Sequence, residues 1–231
     1  MFRLRLDRSA VGLAVSGLLL VLIFVAFPQL DLLVSGWFFA PQQQRFVWQQ
    51  FPWVGELSQL VRLSGWCLGV GLLLAMGFGW WRNRQHHKLP RSFYRHLYVL
   101  LALLLGAGLL VNSVVKPTVG RARPYTVAEF GGSQRFTAPW VISDQCQRNC
   151  SFPSGDAAMG FFWLVPAVVY RPKSNRRRAA WILLALVVAI GCSLPRLGAG
   201  KHFLSDLVWS AWLVLAASCL LHRLLKRLWR R

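Results

Sequence analysis

Long apolar runs alternate with short polar links along this chain. Apolar residues dominate from about Val11 to Phe27, Leu60 to Trp81, Leu97 to Val115, Ala157 to Tyr170, Ala179 to Leu194 and Phe203 to Leu221. Runs of about 17–22 residues cross a bilayer as helices, because a helix satisfies its own backbone hydrogen bonds in hydrocarbon. The fourth run is shorter and gains a turn if its helix extends towards the N-terminal side. The pattern predicts an all-α polytopic membrane protein: a six-transmembrane-helix bundle forming one domain over residues 1–231. Between the first two runs, Leu30 to Gln59 mixes Trp37, Phe38, Phe39, Trp48, Phe51 and Trp53 with Gln and Pro. That aromatic density suits the membrane–water boundary and predicts a short interfacial helix between spans 1 and 2. The basic start, with Arg3, Arg5 and Arg8, could open a signal peptide. The run after it is long for one and no small-x-small cleavage site follows, so a retained first span is expected.

Charge fixes the orientation of these spans. The chain is 55% hydrophobic and only 15% charged, yet its formal net charge is +20. A nucleic-acid binder would spread such charge and lack long apolar runs, so no nucleic-acid partner is expected. Eighteen of the 27 Lys and Arg fall on the N-terminal tail, the links at 82–95 and 171–178, and the C-terminal tail. The positive-inside rule makes these segments, and both termini, cytoplasmic. Adjacent His86 and His87 in the first of those links do not share a helix face and have no carboxylate or cysteine nearby, so a solvated loop is expected rather than a metal site. Cys67, Cys192 and Cys219 fall within spans, as small apolar fillers. Cys146 and Cys150, as C-Q-R-N-C, lie on the opposite side. If that side is periplasmic a local disulfide is the expected state, with a zinc site as the alternative.

Three polar blocks stand at the external ends of spans. Lys116–Pro124, K-P-T-V-G-R-A-R-P, concentrates Lys116, Arg121 and Arg123; alone it reads as a lipid-headgroup anchor. Ser151–Gly160, S-F-P-S-G-D-A-A-M-G, places a turn ahead of an apolar helical run. A helix start offers unpaired N–H groups and a positive dipole end, and Ser154 with Gly155 would let an anion approach. Alone this block is a helix capped by Ser154 or Asp156. Pro195–Asp206, P-R-L-G-A-G-K-H-F-L-S-D, carries Arg196, Lys201, His202 and Asp206. A helix starting near His202 would set His202 and Asp206 one turn apart on one face, where a carboxylate can orient an imidazole. Arg196 adds a planar fork for an oxyanion. Alone, that stretch is a membrane-edge loop with snorkelling cations. Together the blocks supply cations, a helix N-terminus and a carboxylate-partnered histidine, which suffices for phosphoryl transfer without a metal.

With these blocks in order, the chain resembles the type 2 phosphatidic acid phosphatase family, whose pattern is K-x6-R-P, then P-S-G-H, then S-R-x5-H-x3-D. Lys116, Arg123 and Pro124 match the first element, Pro153, Ser154 and Gly155 the second, and Arg196, His202 and Asp206 the third; the close resemblance covers about residues 95–220. It implies a membrane lipid phosphatase with no metal or cofactor. His202 would form a phosphohistidine and Asp206 would orient it. Lys116, Arg123, Arg196, Ser154 and the Gly155 backbone would hold the phosphate. Two positions depart: Pro195 replaces the family's serine, and Asp156 replaces the histidine that protonates the leaving oxygen. Asp156 could act as that acid only if burial raised its pKa against the nearby cations. Alternatively the leaving group needs little help.

Residues 129–152 are similar to the bacterial lipid A 1-phosphatase branch and related undecaprenyl-diphosphate phosphatases. The expected reaction is thus periplasmic removal of the lipid A 1-phosphate at the bacterial inner membrane, which expels an anomeric oxygen. Undecaprenyl diphosphate, phosphatidylglycerol phosphate and phosphoryl transfer to another lipid are the alternatives, and a lipid-binding pseudoenzyme is the different class. A transporter would place charge in mid-span, where this chain has essentially none. The aromatics from Trp37 to Trp53 are expected to line a lateral entrance for the lipid.

Overall fold

The computed structural model describes residues 8–84, 89–170 and 174–228. It is mostly helical. Helix α1 (Arg8–Ala26) ends where Pro28 cannot continue its hydrogen-bond ladder, and α2 (Gln29–Gly36) leaves at a bend of 78°. A two-stranded antiparallel hairpin, β1 (Phe39–Ala40) and β2 (Arg45–Phe46), leads into α3 (Pro52–Asn83). Helix α4 (Arg91–Ala102) runs on as a π-helix over Leu103–Val115 and a last α-turn, α5 (Lys116–Val119). After a cap of irregular chain come α6 (Gly155–Phe162), α7 (Leu164–Val169), α8 (Asn175–Gly198) and α9 (Leu204–Leu228).

Among the described residues four helices are long and apolar enough to cross a membrane: Pro52–Asn83, Arg91–Thr126, Asn175–Gly198 and Leu204–Lys226. The bent pair α1–α2 makes a fifth if counted as one span. The expected fourth span is instead two short helices over Gly155–Val169. Pro166 explains the break, since it has no N–H to offer the carbonyl of Phe162 one turn earlier.

The α6 segment sits at the centre of the bundle rather than on its rim. Ala157, Ala158 and Gly160 are buried. A Cβ on Gly160 would lie 3.0 Å from Cys192 Cβ and 3.1 Å from Ala189 Cα, so only glycine lets α6 press this closely on α8. Outward-facing Leu18, Leu22, Leu63, Leu74, Leu183 and Leu184 are exposed, an apolar skin of the kind lipid covers. Cys67 and Cys219 lie exposed and only Cys192 is buried, so two of the three expected fillers line the outer surface instead. At the hairpin end Phe46 packs edge-on against Phe130, and Trp48 N–H donates to Gly198 O at 2.9 Å. Gly200, at φ +62°, allows the turn after α8; a Cβ there would meet the Phe46 ring at 2.4 Å.

Candidate active site

The blocks converge at that end of the bundle. Lys116, Arg123, Gly155, Asp156, Arg196 and His202 line one cavity of about 700 Å³, together with Ser58, Arg62, Asn112, Asn149 and Lys201. Ser154 and Asp206 are fully buried and are not among the residues that line it. Ser154 caps α6, its Oγ accepting from Ala157 N–H at 3.3 Å, while its own N–H donates to Ser210 Oγ at 2.8 Å. Gly155 leaves room for the Asn112 amide; a Cβ there would lie 2.6 Å from Asn112 Oδ1.

His202 precedes its helix rather than starting it. Arg196 belongs to the last turn of α8, and the loop returns on it: Lys201 N–H and His202 N–H both donate to Arg196 O, at 2.9 and 3.2 Å. The imidazole Nδ1 lies 2.6 Å from Ser151 O. A carbonyl only accepts, so Nδ1 carries the proton and Nε2 keeps its lone pair. Asp206 Oδ2 lies 3.6 Å from Nδ1, beyond a hydrogen bond but close enough to stabilise positive charge. Its oxygens accept instead from Phe203 N–H at 2.8 Å, Ser151 Oγ at 2.5 Å and Arg121 Nη1 at 2.6 Å. The orienting partner of the imidazole is therefore the Ser151 carbonyl, itself held through Asp206.

Burial pushes the His202 pKa down to about 4, with Lys116 and Arg123 adding to the fall and Asp206 opposing it. The imidazole stays neutral at physiological pH, as a nucleophile must. Because the folded value lies below the ordinary 6.5, the neutral form should persist as pH falls through 6.5 and be lost only near 4. A 15N-histidine NMR titration, assigned with His202→Gln, checks this; a midpoint near 6.5 refutes it.

Asp156 is 8% exposed and ion-paired with Arg196 Nη2. It also accepts from Ser58 Oγ at 2.8 Å. Ser58 Oγ in turn accepts from Arg196 Nη2 at 2.5 Å and Arg62 Nη1 at 2.9 Å. Arg123 donates through Nε and Nη2 to Asn149 O, at 3.0 and 2.7 Å, which leaves Nη1 for the cavity. Arg121 has a different place from the other two cations of its block: fully buried, it donates to Asp206, to Ser205 Oγ at 2.8 Å and to Asp31 Oδ2 at 2.8 Å.

Sequence reasoning gave no role to Asp31, Ser58, Arg62 or Ser151. Asp31 had a signal: with only seven acids against 27 bases, an acid inside an apolar stretch must be paired. Ser58 and Arg62 stand four apart on one face of α3. The aromatic entrance is corrected, since none of the residues from Trp37 to Trp53 lines the cavity. Its apolar part runs between α3 and the π-helix, over Val61, Gly65, Trp66, Leu103, Leu104, Ala107 and Gly108. Cys146 and Cys150 form a disulfide with a Cα–Cα distance of 5.5 Å. His86 and His87 lie outside the described residues. Among the described residues, no three His, Cys, Asp or Glu side chains gather as a metal would require.

Residues 96–230 match the PAP2 superfamily, and the chain belongs to this family. More particularly, it is similar to proteins named lipid A 4'-phosphatase. The one from Francisella tularensis subsp. novicida (strain U112) is 31% identical over 204 residues, covering 88% of this chain and 90% of the relative. Those from Rhizobium leguminosarum and Rhizobium etli are 41% and 40% identical over 120 and 123 residues, about half of each chain. No solved structure matches. These names correct the expected 1-phosphatase branch: the relatives are named for the other phosphate.

Proposed function

We propose that this protein is a membrane lipid phosphatase that removes the 4'-phosphate of a lipid A-type glycolipid at the periplasmic face of the bacterial inner membrane. The supporting observation is the single cavity in which neutral His202 meets Lys116, Arg123 and Arg196 beside the N-terminus of α6. On this reading Gly155–Val169 serves as the fourth of six spans, α2 lies along the membrane surface and both termini are cytoplasmic. The apolar part of the cavity takes an acyl chain from the bilayer.

His202 Nε2 attacks phosphorus and the bond to the sugar oxygen breaks, giving a phosphohistidine without a metal. Its positive imidazole faces the Asp206 carboxylate. Water then cleaves the P–N bond and restores the histidine. A 4'-oxygen is a secondary alcohol and leaves poorly without a proton, so the earlier escape through an anomeric leaving group is closed. Asp156, holding Arg196 in place, accepts hydrogen bonds from a guanidinium and a hydroxyl, the posture of an ionised carboxylate. Lys201 is better placed as the acid: it has no carboxylate ion pair among the described residues, and burial, then Arg123 and Arg196, lower its pKa. Lys201→Met should cost about 10²–10³-fold in turnover of the glycolipid and far less on an aryl phosphate, whose oxygen leaves unaided. Equal losses on both would deny the proton to Lys201.

Inorganic phosphate release from a panel decides the substrate: 4'- and 1-monophosphorylated lipid A, undecaprenyl diphosphate and phosphatidylglycerol phosphate, each with and without chelator. The reading expects the 4'-phosphate to be turned over fastest, insensitively to chelator. Preference for any other member overturns the specificity, and phosphate appearing on a second lipid makes the protein a phosphotransferase. No release from any member makes it a lipid-binding pseudoenzyme.

A further inference from the structure

A second cavity, of about 570 Å³, lies against the first on its outer side. Arg123, Asn149 and Lys201 line both. The remaining wall is polar: Gln134, Gln145 and Gln147 among the amides, Tyr125 and Thr126, and Arg148 opposed by the lone acid Asp144. Its lining therefore carries three cations against one anion. Apart from Arg123 and Lys201, catalysis as described uses none of the side chains that line it.

From this arrangement we infer that the outer cavity is a saccharide subsite, which holds the phosphorylated sugar headgroup while the inner cavity holds the phosphate being removed. This rests on the proposed glycolipid function and deepens it. Three features point to the chemistry. First, side-chain amides donate and accept at once, which suits sugar hydroxyls and acyl-amide groups, whereas a simple glycerol phosphate would leave most of them unused. Second, Arg123, Asn149 and Lys201 are shared by both linings, so a headgroup held in the outer cavity can place its own phosphate in the inner one. Third, the size lies in the range of cavities that bury ligands of several rings.

The wall is also built. The Cys146–Cys150 disulfide closes the segment that carries Gln147, Arg148 and Asn149. Gln145 Oε1 accepts from Arg135 N–H at 2.9 Å and its Nε2 donates to Asp144 at 2.6 Å. The bonds from Arg123 to Asn149 O join this wall directly to a phosphate-binding side chain. Lys201, its ammonium 4.6 Å from the Tyr125 ring centroid, stands where the sugar oxygen would cross from one cavity to the other.

The test uses full-length protein and the soluble diphosphorylated glucosamine disaccharide, without acyl chains, titrated by calorimetry into His202→Ala. It is paired with wild-type turnover of diphosphorylated lipid A against phosphatidic acid. Gln134→Ala and Arg148→Ala should each weaken disaccharide binding about tenfold and lower the preference for lipid A over phosphatidic acid by the same factor. No binding of the disaccharide, or equal binding by both variants and the parent, overturns the subsite. If the disaccharide binds and the variants weaken it while phosphatidic acid is the better substrate, the subsite stands and the 4'-phosphatase reading fails.

Discussion

His202→Ala should abolish phosphate release, by a factor of about 10³–10⁶, while leaving phosphorylated lipid bound within a few-fold. The asymmetry follows from where the imidazole stands. Its Nδ1 proton is committed to Ser151 O, and it contributes no charge at neutral pH, so little of the ground-state grip on a phosphate can depend on it. On the proposed reading that grip belongs to Lys116, Arg123 and Arg196, which line the same cavity. Turnover, on the same reading, needs the Nε2 lone pair and has no substitute for it: Asp206 and Ser154 are fully buried and outside the cavity lining, and the Ser58 hydroxyl is held by Asp156 and two arginines. Wild type quenched in alkali during turnover should carry an acid-labile phosphoryl group, absent from the variant. Added imidazole should restore part of the activity of His202→Gly, since the cavity is open enough to admit it. A variant that keeps turnover would place the nucleophile elsewhere.

Much of this was legible because the chemistry is dense and its spacing local. Lys116 to Arg123 is seven residues, and Arg196 to His202 is six, so short segments carried the pattern wherever the helices went. Four of the apolar runs are helices long enough to span, while the first counts only together with α2 across its bend and Gly155–Val169 is too broken to count by length. What stayed hidden were partners supplied from a distance. Asp31 meets Ser205 across 174 positions, and Ser58 meets Asp156 across 98. No periodicity reports such pairings. The orientation of His202 escaped for another reason: its partner is a backbone carbonyl, which every residue has. The expected branch differs from the relatives' names because Asp156, in place of the family's histidine, is read as implying an easy leaving group. A proton donor can instead come from a different position in the chain, and Lys201 offers one.

Arg121→Met should be the most destabilising single change, at about 3–5 kcal/mol, or a fall in melting temperature of roughly 10 °C. Arg121 is fully buried between Asp31 and Asp206, both also fully buried. Removing its guanidinium strands two carboxylates in a dry interior, where each lone charge costs several kcal/mol. The expected proof is partial rescue. Arg121→Met combined with Asp31→Leu should melt higher than Arg121→Met alone, because one stranded charge has gone; purely additive losses would show that packing, not charge, is at stake. The same cluster reaches the chemistry. Both carboxylates accept only from N–H and O–H donors, as ionised groups do, so with Arg121 between them the cluster bears one net negative charge, and its Asp206 carboxylate lies 3.6 Å from the imidazole that turns positive on phosphorylation. Asp31→Asn leaves the cavity untouched but cancels that charge. It should therefore lower kcat about tenfold with KM nearly unchanged, a split that a purely structural role for Asp31 would not produce.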